Sequence, residues 1–332
     1  MRIIHGLRTM EPLAGAPAVV TIGTFDGLHL GHQAILRRVV ELAGLHGGLS
    51  AVVTFDPHPR AVLGRHEEGL LLTSPAHKLQ LIEAQGIDVC VEVRFDRSFA
   101  EIEAGRFVEE LLAVKFRLAA MVVGATNRFG KNASGDARFL QQWGRRLGFD
   151  VEVIEPVRID GVVVNSTVVR TLVQGGELEQ AAAFLGRPFS LLGTAVHGAT
   201  RGRRIGYPTA NIDPHNEVVP PSGVYAVRVR LGERVLGGVL NIGFRPTFED
   251  PNEVSRAVEV HVFDFNEEVY GRDLEVIFIR KLREEIRFDS VALLREQIRR
   301  DELEARRLLA RGAPGANEAS GRTDERRRRA EP

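Results

Sequence analysis

The sequence predicts an α/β fold in two parts, a doubly wound parallel sheet followed by an antiparallel β-barrel with a closing helix. Three observations predict this order. Short apolar runs alternate with stretches of helical apolar spacing up to about Gly186. Beyond that point, short β-rich runs are separated by Gly, Pro and Asn. A long segment of helical spacing then follows from about Ser290 to Ala310.

The first part is predicted to contain five strands separated by helices. Strands alternating with helices of this length form a parallel sheet that is covered on both faces, as in Rossmann-like folds. Ligands of such sheets bind beyond the carboxyl ends of the strands. The predicted strands are Ala18–Ile22, Ser50–Phe55, Asp88–Val93, Ala119–Gly124 and Asp150–Ile154. The predicted helices start at Gly31 and at Ser74-Pro75, and span Gly105–Phe116 and Ala137–Leu147.

The second part is predicted to be a small antiparallel barrel or sheet. We expect a first domain at residues 1–180, a second at residues 181–310, and a disordered tail at residues 311–332. The tail lacks an apolar stripe, so its arginine run Arg326–Arg329 is expected to be solvated rather than bound to RNA. The predicted strands are Leu191–Val196, Gly223–Arg230, Val235–Ile242, Val258–Phe263 and Leu274–Phe278.

The composition is that of a soluble globular protein. Of the 332 residues, 44% are hydrophobic, and Lys plus Arg balance Asp plus Glu at 44 each. A neutral chain argues against a dedicated nucleic-acid binder, and no apolar segment approaches the roughly 18 residues of a membrane span. We expect a cytoplasmic monomer or weak homo-oligomer that acts on small molecules. The single cysteine, Cys90, lies in an apolar run and is expected to be a buried thiol.

The stretch GTFDGLHLGHQAIL joins the first predicted strand to the next helix. We expect its glycines, Gly23, Gly27 and Gly31, to leave backbone amides open to an anion at the helix N-terminus. His29 and His32 are three residues apart, so both face one side of a helical turn. Imidazoles at this place can donate hydrogen bonds to a phosphate that gains charge in a transition state.

Two alternatives remain open for this stretch. The glycines could shape a turn beside incidental histidines. His29 and His32 could instead be zinc ligands, with His58 as a third, although the glycine density is then unexplained.

The His29-Leu-Gly-His32 spacing resembles the signature of the nucleotidylyltransferase superfamily. Two further segments match that pattern: Thr54-Phe-Asp-Pro-His-Pro59 and Asn165-Ser-Thr-Val-Val-Arg170. The resemblance implies that the histidines stabilise the α-phosphate of ATP while a nucleophile displaces pyrophosphate. Arg170 can form two hydrogen bonds to the leaving group.

A glycine-rich basic segment lies in the second part and includes Gly202, Arg203 and Gly206. Such a loop is typical of a phosphate cradle. The following Pro208-Thr-Ala-Asn211 offers hydroxyl and amide oxygens, which are hard ligands suited to Mg²⁺.

Glu259 and His261 are two residues apart in a predicted strand, so they share a face. A carboxylate directed into a phosphate site can act as a base toward a hydroxyl group. A solvent-facing glutamate is the alternative interpretation.

Together these motifs resemble the riboflavin kinase module: the cradle with Pro-Thr-Ala-Asn, then Pro221-Ser-Gly-Val-Tyr-Ala226, Asn241-Ile-Gly-Phe-Arg-Pro-Thr247 and Glu259-Val-His-Val-Phe-Asp-Phe265. The whole chain, from about residue 15 to 310, is similar to the prokaryotic bifunctional riboflavin kinase/FAD synthetase family.

The resemblance implies that the second domain transfers the γ-phosphate of ATP to riboflavin, giving FMN. The first domain then transfers AMP from a second ATP to FMN, giving FAD and pyrophosphate. The implied catalytic residues are His29, His32, Arg170 and Glu259, with Mg²⁺ bound through ATP at Thr209 and Asn211. The implied binding residues are Gly23, Phe25, Asp26, Gly27, Gly31, His58, Asn127, Ser166, Thr167, Gly202, Arg203, Gly206, Pro208, Thr209 and Asn211.

The chain departs from the family pattern at the loop Gly124-Ala-Thr-Asn-Arg-Phe-Gly130. Thr126 replaces a carboxylate or amide, Asn127 replaces an aromatic residue, and Asn165 replaces a serine. Three alternatives therefore stay open: a kinase with a weakened adenylylation domain, a flavin- or nucleotide-binding regulator without turnover, and a transferase for another phosphate acceptor.

Overall fold

The computed structural model describes residues 1–64, 71–197, 206–215, 218–246 and 254–311. The predicted fold class is confirmed: a six-stranded parallel sheet precedes a closed six-stranded antiparallel barrel, and a long helix ends the described chain. The tail expected at 311–332 lies outside the described residues except for residue 311, which ends the last helix. Residues 198–205 of the expected glycine-rich loop also lie outside them.

The parallel sheet has the strand order β1-β4-β3-β2-β5-β6. All five predicted strands form within two residues of their expected bounds. The sequence interpretation missed β1, because this short, mostly exposed edge strand has no apolar run. The strands are β1 Arg2–His5, β2 Ala18–Ile22, β3 Leu49–Asp56, β4 Val89–Arg94, β5 Leu118–Gly124 and β6 Asp150–Ile154.

Helices cover both faces of this sheet. The predicted helix after Ser74 is capped by the Ser74 side chain, which accepts a hydrogen bond from the His77 amide. The helical segment from Ala104 to Phe116 contains π-helical turns between α5 and α6. The helices of the described chain are α1 Leu30–Leu45, α2 Pro59–Val62, α3 Pro75–Glu83, α4 Arg97–Ala100, α5 Ala104–Arg106, α6 Val114–Phe116, α7 Ala137–Leu147, α8 Ser166–Gly175, α9 Leu178–Leu185 and α10 Val291–Arg311.

The barrel has the strand order β10-β13-β12-β11-β14-β9. Its five predicted strands form. The strand β10 was not predicted, because the Pro-Thr-Ala-Asn motif was interpreted as a ligand-binding loop. A short hairpin, β7 and β8, precedes α8. The strands are β7 Arg158–Ile159, β8 Val162–Val163, β9 Ser190–Val196, β10 Ala210–Pro214, β11 Gly223–Leu231, β12 Arg234–Pro246, β13 Val254–Val262 and β14 Asp273–Arg283.

Separate apolar clusters pack on the two faces of the parallel sheet and inside the barrel. Cys90 is fully buried in one of them, and this burial raises the pKa of its thiol to about 12. The expected buried thiol is therefore confirmed. None of the helices in the described ranges is long and apolar enough to cross a membrane.

The sheet domain and the barrel are in direct contact. The Gln33 side chain in α1 donates a hydrogen bond to the Leu185 carbonyl at 2.7 Å, and the Val218 amide donates to the Leu71 carbonyl at 3.1 Å. His77 of α3 lies 3.3 Å from the Glu275 carboxylate of β14. The chain that joins the two units therefore passes beside α1.

Candidate active sites

A cavity of about 1010 Å³ opens at the carboxyl ends of the parallel strands, where the sequence predicted a ligand. The turn after β2 contributes Gly23, Phe25, Asp26, His29, Gly31 and His32 to its lining. His58, Asn127, Ser166, Thr167 and Arg170 line it from other elements. Gly27 lies behind the lining rather than in it.

The two histidines of the turn are stacked. Their ring centroids are 3.6 Å apart, and Nδ1 of His29, the N-cap residue of α1, accepts a hydrogen bond from the His32 amide at 3.3 Å. The Phe25 ring packs edge-on against His32, with 5.2 Å between the ring centroids. The prediction that both imidazoles face one side is confirmed.

Burial keeps both imidazoles neutral. It lowers the pKa of His29 to about 4, and the Arg187 cation adds to this effect. Burial also lowers the pKa of His32 well below its ordinary value, with a smaller contribution from His29. Because Nδ1 of His29 accepts a hydrogen bond, the ring proton of the neutral form lies on Nε2. Neutral imidazoles remain hydrogen-bond donors toward an anion.

The expectation that all three glycines leave their amides open is wrong for two of them. The Gly23 amide donates to the Val53 carbonyl at 3.1 Å, and the Gly27 amide donates to the Thr73 hydroxyl at 3.1 Å. These two amides stabilise the turn. The Gly31 amide lies in the first turn of α1. Amides of a first turn have no acceptor within their own helix.

Close packing explains why glycines occupy this turn. A Cβ atom on Gly31 would lie 3.1 Å from the His29 ring, and one on Gly27 would lie 2.7 Å from the Leu72 side chain. Gly27 also has a φ of +77°, a conformation that favours glycine. The glycines therefore allow the histidine ring and the residue 71–73 segment to approach the turn.

Asp26 has a structural role, because its carboxylate is buried and hydrogen-bonded rather than solvated. Its Oδ1 accepts hydrogen bonds from the amides of Leu72 and Thr73 at 2.8 and 3.1 Å, and its Oδ2 lies 3.3 Å from the Arg170 guanidinium. Burial raises the pKa of the Asp26 carboxyl, while these amides and Arg170 oppose the rise. Arg170 is thereby oriented at the cavity wall.

The start of α8 retains its capping function despite the departure at Asn165. The Asn165 Oδ1 atom accepts a hydrogen bond from the Val168 amide at 2.9 Å, as a serine cap would. The Ser166 hydroxyl donates to the Asp26 carbonyl at 3.0 Å. The Asn165 replacement therefore leaves the helix N-terminus intact beside the cavity.

His58 and Asn127 approach the cavity from two other loops. The Nδ1 atom of His58 accepts a hydrogen bond from the Arg60 amide at 3.2 Å, and burial lowers the pKa of His58 to about 4. The Asn127 side chain donates to the Ile22 carbonyl at 3.1 Å, at the end of β2. The altered loop is thus tied to the central strand.

The second set of predicted residues lies on the outer face of the barrel. In the strand register, Glu259 of β13 pairs with Asn211 of β10 on one side and with Asn241 of β12 on the other. His261 shares this face, as predicted, and its Nδ1 lies 2.8 Å from the Pro208 carbonyl. This places a carboxylate between two amide side chains.

The remaining predicted residues of the barrel site border the glycine-rich loop. Gly202 and Arg203 lie outside the described residues. Gly206 is the first described residue after them and has a φ of +86°. Thr209 is half-buried just before β10. The zinc alternative receives no support, since the described residues contain no group of three or more His, Cys, Asp or Glu that could hold a metal ion.

Comparisons with known proteins match both halves of the chain. A family model described as FAD synthetase matches residues 12–168, and one described as riboflavin kinase matches residues 185–309. A bifunctional riboflavin kinase/FMN adenylyltransferase of Escherichia coli (strain K12) is 38% identical over 315 residues, which cover 95% of this chain and 100% of the relative. This chain belongs to the bifunctional riboflavin kinase/FMN adenylyltransferase family.

A second curated relative agrees with this assignment, and a solved structure is similar over most of the chain. The bifunctional riboflavin kinase/FMN adenylyltransferase of Bacillus subtilis (strain 168) is 36% identical over 298 residues, covering 89% of this chain and 93% of the relative. A crystal structure from Streptococcus pneumoniae, titled as a macrolide-efflux protein, has a TM-score of 0.81 and 28% identity, covering 92% of this chain and 99% of that one.

Within this family member, sequence reasoning missed an aromatic wall of the adenylylation cavity. Phe95, Phe99, Phe107 and Phe129 line the cavity, and consecutive rings are in contact at centroid distances of 5.8 to 6.0 Å. These residues come from separate loops and helices, so no single motif joins them. An apolar wall of this kind suits a flat ring system.

Sequence reasoning also missed Lys78, a buried lysine of α3. Its buried ammonium donates a hydrogen bond to the Phe55 carbonyl at 2.8 Å, within the Thr-Phe-Asp-Pro-His-Pro motif. Burial lowers the pKa of Lys78, opposed chiefly by Glu92. Its spacing of four residues from Ile82 gave a usable signal, because both must lie on the buried face of α3.

Proposed function

We propose that the chain makes flavin cofactors in two steps: it phosphorylates riboflavin to FMN on the barrel, and it transfers AMP from ATP to FMN in the cavity of the parallel sheet. The observation that carries the proposal is the pair of stacked, buried, neutral imidazoles at the α1 N-terminus, facing a cavity with a phenylalanine wall. The family membership supports both steps.

In the adenylylation step, a phosphate oxygen of FMN forms a bond to the α-phosphorus of ATP. The bond from that phosphorus to the bridging oxygen breaks, and its electron pair leaves with pyrophosphate. Charge grows on the α-phosphate oxygens, where Nε2–H of His29 and the N-terminal amides of α1 are proposed to donate hydrogen bonds. Because the imidazoles are neutral, they donate without transferring a proton.

The other cavity residues have proposed binding roles. Ser166 and Thr167 at the α8 N-terminus, together with His58, are proposed to bind ATP phosphates. Arg170 is proposed to contact the leaving pyrophosphate, since its ion pair with Asp26 keeps the guanidinium at the cavity wall. The turn after β2 is proposed to be shaped and supported by Gly23, Phe25, Asp26 and Gly27. Asn127 is proposed to contact the flavin side.

In the kinase step, the Glu259 carboxylate is proposed to accept the proton of the riboflavin 5′-hydroxyl. The hydroxyl oxygen forms a bond to the γ-phosphorus of ATP, and the bond to the bridging oxygen breaks, releasing ADP. Glu259 is half-buried between Asn211 and Asn241 in the strand register. The Asn211 amide is proposed to orient the carboxylate toward the hydroxyl, whereas the Asn241 amide donates a hydrogen bond to Glu285 at 3.3 Å.

The barrel residues fit a magnesium–nucleotide complex. Mg²⁺ prefers oxygen ligands, and the Thr209 hydroxyl and the Asn211 side-chain oxygen are of this type. Bound with ATP, Mg²⁺ would neutralise phosphate charge during transfer. Gly202, Arg203, Gly206 and Pro208 are proposed to surround the same phosphates.

Further proposals concern the setting of the enzyme. We place the adenylyltransferase domain at residues 1–180 and the kinase domain at residues 181–310, in a cytoplasmic monomer or weak homo-oligomer. Its partners are proposed to be ATP, riboflavin and FMN, without nucleic acid or membrane.

One assay tests this proposal. The purified chain is incubated with Mg²⁺ and ATP plus either riboflavin or FMN, and the flavins are separated by chromatography. We expect FMN and then FAD from riboflavin, and FAD from FMN. No FMN from riboflavin would refute the kinase assignment. FMN without FAD would identify the weakened adenylylation domain, which the loop at Thr126-Asn127 makes the second candidate.

A further inference from the structure

The turn that contains the histidine motif has an unusual backbone. Phe25 and Leu28 have positive φ angles of 51° and 41°, which are strained for residues with side chains. Such a conformation persists only where the surrounding structure supports it. His29 follows this turn directly, so the position of its ring depends on what supports residues 25–28.

Three consecutive carbonyls of the turn accept hydrogen bonds from side chains of three different elements. The Asp26 carbonyl accepts from Ser166 of α8 at 3.0 Å, and the Leu28 carbonyl accepts from Gln33 of α1 at 2.8 Å. Between them, the Gly27 carbonyl accepts from both terminal nitrogens of Arg187, each at 3.2 Å. Arg187 comes from the segment between α9 and β9.

Arg187 lies in the riboflavin kinase half of the chain. The riboflavin kinase model begins at residue 185, yet this side chain contacts the turn of the adenylylation site. The junction is tight: Gly186 has a φ of +67°, and a Cβ atom there would lie 2.6 Å from the Leu30 side chain. Gln33 also binds the Leu185 carbonyl at 2.7 Å.

We infer that Arg187 is a positioning residue for adenylylation, through which the start of the kinase domain stabilises the strained turn and places His29 toward the α-phosphate. This inference rests on the proposed function of the cavity. Arg187 is half-buried, and within the described residues its buried Nε atom has no hydrogen-bond partner. Both terminal nitrogens of the guanidinium converge on the one Gly27 oxygen, and this geometry is specific to arginine.

The test uses the full chain with the substitution R187M, which keeps an unbranched apolar stem and removes the charge and the donors. We expect kcat for FAD formation from FMN to fall by about tenfold or more, while KM for ATP and FMN changes by less than about threefold. FMN formation from riboflavin by the same protein should stay within about twofold of the unaltered chain. R187K, which retains the charge and a donor, should recover most of the lost kcat.

A matched control is R280M. Arg280 and Glu179 also connect the barrel to α9, with 3.5 Å between Nε and Oε1, but both side chains are more than half exposed. We expect both activities of R280M to be unchanged, because exposed ion pairs contribute little.

The outcomes are distinct. FAD formation by R187M at the unaltered kcat, or an equal fall of both activities in a folded protein, would overturn the inference. If R187M does not fold, R187Q, which keeps a polar group at the buried position, is measured against the same outcomes. Absence of FAD formation in the unaltered chain would refute the proposed function instead.

Discussion

The carboxylate of Asp26 lies 3.3 Å from the guanidinium of Arg170, and their side chains are only 3% and 12% exposed. This contact joins the turn after β2 to α8, two segments 144 residues apart in the chain. It gives the arginine of the Asn-Ser-Thr-Val-Val-Arg motif a fixed orientation before any nucleotide binds. An arginine that is already oriented loses less conformational freedom when it binds phosphate.

The first prediction concerns this ion pair. Asp26→Asn keeps an oxygen for the amides of Leu72 and Thr73 but leaves Arg170 without its carboxylate. We expect the free energy of unfolding to fall by about 3 kcal/mol, since the substitution breaks a buried ion pair. FAD formation should fall by about tenfold or more, because the arginine is no longer oriented. Urea unfolding and the two flavin assays measure these effects.

A matched control for Asp26→Asn is Glu267→Gln. Glu267 forms an exposed ion pair with Arg234 at 2.7 Å, and breaking such a pair has little effect on stability. Equal unfolding midpoints for the two variants would contradict the role given to the buried pair.

The second prediction concerns the helix glycine next to the histidines. Gly31→Ala would bring a Cβ atom to 3.1 Å from the His29 ring, so the ring must move. We expect FAD formation to fall by about tenfold, while FMN formation is retained. Gly44→Ala is the matched control, because Gly44 lies in the same helix and a Cβ atom there meets nothing within 4 Å. Similar FAD rates for the two variants would argue against a crowded histidine pair.

The third prediction separates the two sites. His29→Ala should abolish FAD formation and spare FMN formation, because only the adenylylation cavity loses a phosphate donor. Glu259→Gln should abolish FMN formation and, when FMN is supplied, spare FAD formation. Chromatography of the flavins after each reaction measures both rates. If either substitution stopped both steps in a folded protein, the model with two independent sites would be wrong.

The fourth prediction is a pH dependence of stability. Burial lowers the pKa of His29 from 6.5 to about 4. The unfolded chain therefore binds more protons than the folded chain between these values. The stabilisation is complete above pH 6.5 and is lost as pH falls toward 4. Between pH 7 and pH 5, His29 should account for a loss of about 2 kcal/mol.

Urea unfolding at several pH values tests this dependence. His29→Gln keeps an acceptor for the His32 amide but cannot titrate, so its stability should decline less steeply with acid. His46→Gln, at the exposed C-terminal end of α1, should retain the slope of the unaltered chain. The same slope in both variants would show that His29 does not titrate as described.

Much of the fold could be predicted, because strand and helix periodicities are local properties. The strands Ala18–Ile22 and Asp150–Ile154 form as predicted. β1 could not be predicted, since its four residues gain their pairing from β4, more than eighty residues away. β10 was missed for a similar reason: it pairs with β9 and β13, and its residues carry ligand-like motifs.

The sequence by itself determined the family, the order of the two folds and the identity of the histidine, Ser-Thr-x-x-Arg and Pro-Thr-Ala-Asn motifs, because each motif is contiguous. Only the tertiary structure decided what those residues do to one another. It pairs Asp26 with Arg170 and brings Arg187 of the kinase half to the Gly27 carbonyl. It also directs the amides of Gly23 and Gly27 to Val53 and Thr73. Such contacts join distant segments, and their energies depend on burial, which periodicity and spacing do not specify.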